Sequence, residues 1–471
     1  MPDTNRVRRI FIRGSVRSGL IVCLLAVNFS GAGAQKIESL AEKSYRDGVL
    51  RKVADLVESK YVLADKAKGF ADAFRARCAA GAYASIVEPK AFAEKVNRDL
   101  MAITGDKHTN FRVLTPSAAG EAPQSRLHHS IRYYRLRQKE NTGFFKVDWL
   151  EPGIGYLELR RFYSFDQAKD MILAAMKLLS ASRALIIDVR ENGGGSGDYL
   201  SSFFLPYPTA LTGSYSRQAD ELTENQTRSD IGLKPLTEIP VVILIGPRTF
   251  SAAEAFAYDM QSKKRAVLVG EPSGGGGHSV DVFRIDDQFE FYISTERGVS
   301  PVTGGNWEGT GVIPDVRASA GEIMNKALEL ARKAAEEYGR TLEAAETKAV
   351  AAMQADLDRA EAFFKENRAA EGGAALDSLF RTAAEAGLLS EFFMVVLAYE
   401  YRSDPKDPML LSISRKMVEL YPGSVDALAW LANMYNEKGE KEPALRCYRK
   451  MLELIPGHPD AVRMINKLEG K

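Results

Sequence analysis

Apolar residues recur three and four positions apart from Gln35 to about Asp106, as in Val49, Val53, Leu56 and Val57, then Phe92, Val96 and Leu100. That spacing lines one face of a helix and predicts a small helical bundle over residues 35–112. Residues 113–130 carry Pro116, Gly120 and Pro123 and predict a loop, followed by a hairpin turning at Asn141-Thr142-Gly143. Beyond Pro152 the pattern changes to alternating strand and helix. Ile154 to Leu159 is strand-like, Ser164-Phe165-Asp166-Gln167 has the form of a capping box, and Met171, Ala175, Leu178 and Leu179 share a helical face. Ala184 to Val189 and Val241 to Ile245 are apolar runs of strand length, each leading into a polar or glycine-rich turn. Strand, turn and helix in this order predict an α/β core, assigned to residues 113–325.

After about residue 320 the glycines thin out and helical periodicity takes over. Residues 326–390, rich in alanine and glutamate, predict a helical linker or a degenerate repeat. Met417, Glu419, Leu420, Pro422, Gly423, Asp426 and Ala427 then recur 34 residues on as Met451, Glu453, Leu454, Pro456, Gly457, Asp460 and Ala461. Leu397, Ala398 and Tyr401 likewise recur as Leu431, Ala432 and Tyr435. Period and residue types resemble tetratricopeptide repeats over residues 391–471, which implies an all-α segment able to recruit a protein partner.

Charge and cysteine usage remove several classes of function. Over 471 residues, 63 Lys and Arg face 62 Asp and Glu, so no net field favours nucleic acid. Arg6, Arg8, Arg9, Arg13 and Arg17 precede the apolar run Leu20 to Val27, and Ala32-Gly33-Ala34 offers small residues for cleavage. Residues 1–34 are therefore expected to be a signal peptide, with an exported product, periplasmic or secreted. The apolar run is too short to span a bilayer of about 30 Å, so no stable membrane insertion is expected once the signal is removed. Of three cysteines, Cys23 lies in that segment, while Cys78 and Cys447 fall in different expected domains. No disulfide framework, metal site or cofactor is expected from this pattern.

The candidate chemistry follows the strand at Val241. Thr249-Phe250-Ser251-Ala252-Ala253-Glu254 puts a serine at a strand-to-helix switch, and Gly270-Glu271-Pro272-Ser273 leads into glycines 274–277. Helix N-termini present unpaired N–H groups, the environment that stabilises an oxyanion, so Ser251 is the candidate nucleophile. Ser251 with Glu254 also has the form of a capping box, a role compatible with nucleophilic use. A serine needs a base, and the histidines are His108, His128, His129, His278 and His458. His108 and His278 both remain candidates, the latter because it follows the glycine run.

Several motifs together resemble one family. They are Gly155-Tyr156 with Phe162, Ile187-Asp188-Val189-Arg190-Glu191-Asn192-Gly193-Gly194-Gly195, Ser251-Ala252-Ala253-Glu254, Arg265-Ala266 with Val269-Gly270-Glu271, and Gly309-Thr310-Gly311-Val312-Ile313-Pro314-Asp315-Val316. The segment 154–316 so resembles the catalytic domain of the serine peptidase superfamily of C-terminal processing peptidases and tricorn protease. Gly277-His278 and Trp307-Glu308-Gly309 resemble its interphotoreceptor retinoid-binding protein-like branch. The resemblance implies a ClpP/crotonase-like α/β core and a serine-type, tail-specific peptidase acting on peptides or unfolded proteins. Processing peptidases place a lysine about 25 residues after the serine, but Gly276 stands there, and the span before Trp149 is too short for their PDZ domain. The implied arrangement is a tricorn-like triad of Ser251, His108 as base and Glu308 orienting it. Ala252, with Gly194 or Gly195, would form the oxyanion hole, and His278 would contact substrate or replace His108. The same branch also implies alternatives: a non-catalytic carrier of a hydrophobic ligand, or a scaffold acting through the repeats.

Overall fold

The computed structural model describes residues 39–114, 126–404 and 407–470. The expected signal peptide and most of the expected 113–130 loop lie outside them. The chain divides into two units, Met1–Tyr338 and Gly339–Lys471.

Three helices begin the first unit: α1 (Lys43–Lys60), α2 (Ala64–Ala79) and α3 (Pro89–Thr104). Glu88 caps α3 by accepting the N–H groups of Lys90 and Ala91, and Gly105 at φ 70° ends it. The periodic residues Val49, Val53, Val57, Phe92, Val96 and Leu100 are all buried. These helices do not close on themselves as a bundle, because the same cluster takes in Phe111, Phe289, Phe291 and Ile293 from strands. A stretch this rich in alanine has too little apolar surface to complete a core alone, and the sheet supplies it.

β1 (Asn110–Val113) and α4 (Arg126–Lys139) follow. The helix α4 corrects the expected hairpin. The left-handed residues Asn141, Thr142 and Gly143, at φ 47°, 51° and 89°, join that helix to a strand instead of two strands to each other. The hairpin lies one step later, where β2 (Phe144–Glu151) pairs antiparallel with β3 (Ile154–Leu159) across Gly153 at φ 82°. The chain continues with α5 (Phe165–Leu179), β4 (Ala184–Asp188), β5 (Ala210–Ser216), β6 (Glu221–Gln226), β7 (Val241–Ile245) and α6 (Ala252–Ser262). Then come β8 (Ala266–Gly270), β9 (His278–Arg284), β10 (Phe289–Val299), β11 (Val316–Arg317) and α7 (Ile323–Lys365).

Six strands form a sheet in the order β11-β8-β7-β4-β3-β2, parallel except at β2. Alternation divides its residues between two cores. Leu185, Ile187, Val241 and Ile243 share one with Ile172 and Met176 of α5 and Phe256 and Met260 of α6. Ile186, Val242 and Leu244 share the other with Ala327, Ala331 and Ala335 of α7. Burial on both faces explains why these strands read as unbroken apolar runs. A second, antiparallel sheet orders β1-β10-β5-β6, with β9 also paired to β10. The fold is thus mixed α/β, and β7 and β9 bring Ser251 and the glycine run toward each other.

In the second unit, α8 (Ala369–Glu385), α9 (Glu391–Glu400), α10 (Pro408–Leu420), α11 (Val425–Glu437), α12 (Lys441–Leu454) and α13 (Pro459–Glu469) share one core. The repeated pairs Met417 and Met451, Ala427 and Ala461, and Ala398 and Ala432 are all buried there. Among the described residues no helix is long and apolar enough to cross a membrane.

Phe289 stacks on Phe111 at 4.9 Å between ring centroids and meets Phe92 at 5.7 Å, so it joins helices to sheet. Phe289→Ala is expected to destabilise the first unit by about 3–5 kcal/mol. Hydrogen exchange should show α1–α3 and β10 losing protection together.

Candidate active site

The turn after β7 is held from behind by the glycine turn after β4. Buried Thr249 donates its hydroxyl to the Val189 carbonyl at 2.8 Å and accepts the Gly246 N–H at 3.0 Å, while the Phe250 N–H donates to the Asn192 carbonyl at 3.0 Å. Ser251 then adopts φ 55° and ψ −119°, a conformation that non-glycine residues rarely take and that costs roughly 1–3 kcal/mol. Its restraint comes from Glu254, buried on the first turn of α6. One carboxylate oxygen, Oε2, accepts the N–H groups of Ser251 and Gly276, each at 2.8 Å. The other, Oε1, accepts the Gly275 N–H at 2.6 Å and the Ser273 hydroxyl. Burial pushes the Glu254 carboxyl up from its ordinary value, and these four donors oppose the shift.

Asn192 shapes the glycine turn, donating to the Leu159 carbonyl and accepting the Gly194 N–H, both at 2.9 Å. A Cβ on Gly194 would lie 2.8 Å from Ser251 Cβ, so only glycine lets the turn approach the serine this closely. The same contact corrects one expected oxyanion donor: the Gly194 N–H is already used by Asn192. Among the described residues, no acceptor is bonded to the N–H groups of Ala252 and Gly195.

His108 emerges three residues after the Gly105 stop of α3. Its ring lies on Phe250 with centroids 4.5 Å apart and planes inclined by 31°. A Cβ on Gly276 would come within 2.5 Å of His108 Cε1 and 2.3 Å of Phe250 Cζ. The space a side chain at 276 would need is filled by these two rings. Nδ1 of His108 is buried without a hydrogen-bond partner among the described residues. Burial holds the imidazole below its ordinary 6.5; the Asp106 charge opposes this and the His278 charge reinforces it.

Glu308, expected behind His108, instead approaches His278. Its Oε2 accepts the Gly277 N–H at 2.6 Å and lies 3.7 Å from His278 Nδ1. The reason is local: Glu308 and His278 both flank the glycine run, whereas His108 arrives from another part of the chain. Burial pushes the Glu308 carboxyl up, His278 opposes this, and Asp106 and Glu254 add to it. His278 is buried, with Nδ1 3.0 Å from Asp106 Oδ2, so that nitrogen is already engaged. Burial raises the Asp106 carboxyl, but the hydrogen bond and charge of His278 outweigh it and hold it at about 2. Asp106, His278 and Glu308 each bring a donor atom within 4.8 Å of the others, a spread a cation could bridge. The 3.0 Å contact is equally a hydrogen bond, which needs none.

Of the other histidines, His458 belongs to the second unit, and the side chains of His128 and His129 lie outside the described residues. The Asp188–Arg190 pair is closed at 2.6 Å, with Tyr156 donating to Asp188, as a structural pairing would be. Three groups now stand out that sequence reasoning had not placed in the site: Asp106, Glu254 and Tyr61. Glu254 sits inside the motif quoted for Ser251 and Asp106 stands two residues before His108, while nothing local marks Tyr61. A hydroxyl at a helix N-terminus, a depressed histidine nearby and two unbonded N–H groups are the parts that serine-type acyl transfer requires.

Similarity to known proteins adds the class. Residues 153–329 match peptidase family S41, and residues 32–146 match the N-terminal domain of Peptidase_S41 in eukaryotic IRBP. The chain belongs to peptidase family S41, with the family's N-terminal domain preceding the catalytic one. It is 29% identical over 180 residues to the chloroplastic carboxyl-terminal-processing peptidase 1 of Arabidopsis thaliana, covering 36% of this chain and 35% of that one. To the carboxyl-terminal-processing protease of Synechocystis sp. it is 28% identical over 203 residues, covering 42% and 45%. The chain thus aligns with less than half the length of these relatives. Among solved structures, a lipoprotein from Streptococcus agalactiae matches with a TM-score of 0.41 and 15% identity, over 65% of this chain and 99% of that one.

Two substitutions probe this geometry. Glu254→Ala leaves three N–H groups and a hydroxyl without their acceptor, and should cost at least about 3 kcal/mol in a denaturant titration. Gly276→Ala should preserve helix content by circular dichroism but lower reactivity at Ser251, because the new methyl displaces the His108 and Phe250 rings.

Proposed function

We propose that this chain is an exported serine-type peptidase acting on peptides or unfolded proteins, with Ser251 as nucleophile and His108 as general base. The observation that carries this reading is the His108 ring packed on Phe250, the residue before Ser251, in the space a side chain at 276 would occupy. The names of the relatives, which are processing peptidases, support the substrate class.

In the reaction, His108 takes the Ser251 Oγ proton as the oxygen attacks the scissile carbonyl, then gives it to the leaving amine. The N–H groups of Ala252 and Gly195 receive the oxyanion, each such donor being worth about 3 kcal/mol in the transition state. The amino end of α6 adds a favourable field at the same point. A water, activated by the same histidine, then releases the acyl group from Ser251. Glu308 acts on His108 from a distance, through its contact with His278, and not as a direct hydrogen-bond partner of the base. The helices over residues 391–471 serve as tetratricopeptide-like repeats that select substrate or partner. Export rests on the arginines and apolar run of residues 1–34.

Ser251→Ala and His108→Ala should each reduce cleavage of an unfolded protein substrate by roughly 10³-fold or more. Because burial depresses the His108 imidazole, the acid limb of kcat/KM should fall below the ordinary 6.5, the base staying neutral to lower pH. Unchanged hydrolysis by Ser251→Ala contradicts the reading, and failure of a fluorophosphonate to label Ser251 points to a non-catalytic carrier.

A further inference from the structure

We propose that Asp106 and His278 are positioning residues for this reaction: the buried pair, anchored by Tyr61 and Glu308, fixes the turn that carries the base. The proposal rests on the reading of Ser251 and His108 as nucleophile and base.

With no partner on Nδ1 among the described residues, the His108 ring receives no orientation from a carboxylate of theirs. Its direction must come from the backbone that carries it and from the rings it packs on. Asp106 defines that backbone. Its Oδ1 accepts the N–H of His108 at 2.8 Å and of Thr109 at 3.4 Å, closing the turn. Its Oδ2 accepts the Tyr61 hydroxyl and faces His278 Nδ1, both at 3.0 Å. One carboxylate so ties the base turn to two buried rings, which meet edge-on at 6.1 Å.

Each anchor is itself fixed. Tyr61 follows the end of α1, its carbonyl accepts from Arg217, and the next residue, Val62, donates to the Ser294 carbonyl of β10 at 2.8 Å. His278 opens β9, and Glu308 holds the glycine run beside it through Gly277. Lys107, between Asp106 and His108, reaches the Gly274 carbonyl and adds a second tie to that run. The base turn is thereby bound to the N-terminal helices on one side and to the glycine run and β9 on the other. Neither Asp106 nor His278 needs to touch substrate for its loss to misplace the base.

The charged groups acting on His108 are Asp106 and His278, and they act in opposite senses: the carboxylate raises its pKa and the second imidazole lowers it. Facing His278 in turn are Asp106, Glu308 and the ring of Tyr61.

The test is the rate at which a fluorophosphonate probe labels Ser251 in the full chain, followed across the acid limb, with thermal melts as a folding control. Asp106→Asn should slow the plateau rate about tenfold or more and move the midpoint to lower pH. His278→Asn should also slow it, but move the midpoint to higher pH. Tyr61→Phe, which removes one hydroxyl, should slow labelling by about threefold, and decides the matter if the other two variants do not fold. Wild-type rates and midpoints in the variants overturn the positioning role, as do midpoints that move in the same direction. No labelling of the unsubstituted protein overturns the assignment of Ser251 itself, and the positioning role with it.

Discussion

The buried carboxylate of Glu254 is the constraint on which the rest of the site depends. It has lost its water and replaced it with four donors drawn from three places in the chain: Ser251, Ser273 and the pair Gly275 and Gly276. A buried carboxylate is tolerated only when so satisfied, and the satisfaction is geometric. It pins the strained backbone of Ser251 to the glycine run. Ser273 extends the linkage, because its hydroxyl also accepts the Val312 N–H at 2.6 Å, bringing in the segment that carries Glu308. Ser251, the glycine run and the segment of Glu308 are consequently one mechanical unit.

Within that unit, space decides which side chain packs beside Phe250 and Ser251. The glycine at 276 leaves a gap that the His108 and Phe250 rings fill. A lysine there and a histidine packed as His108 is packed are mutually exclusive arrangements of the same volume. The histidine arrives from the segment after α3, whose core is completed by Phe289 and Phe291 of β10. The N-terminal helices are therefore part of what places the proposed base, and not an appendage to the six-stranded sheet.

What could be read in the sequence was what depends on neighbours in the chain. The apolar runs at 184–189 and 241–245, the strand-to-helix turn at Ser251, the glycine turn and the 34-residue period are all local patterns, and helices and strands stand where they indicate. The hairpin at Asn141 was misread because three left-handed residues serve a helix-to-strand junction as well as a hairpin turn. Glu308 was expected on His108, and Gly194 as a free donor. Both depend on contacts set by folding: the neighbour of Glu308 across the glycine run, and an asparagine whose side-chain oxygen accepts from the residue two positions on. Tyr61 meets Asp106 across 45 residues of sequence, and no pattern around it carries that information.

The most direct measurement is a crystal structure of the protein inactivated by a fluorophosphonate. The account predicts phosphorus bonded to Ser251 Oγ, His108 Nε2 within about 3.2 Å of that oxygen, and a phosphonyl oxygen accepting from the Ala252 N–H. An adduct on another residue, or one in which His278 and not His108 approaches the serine oxygen, would contradict it.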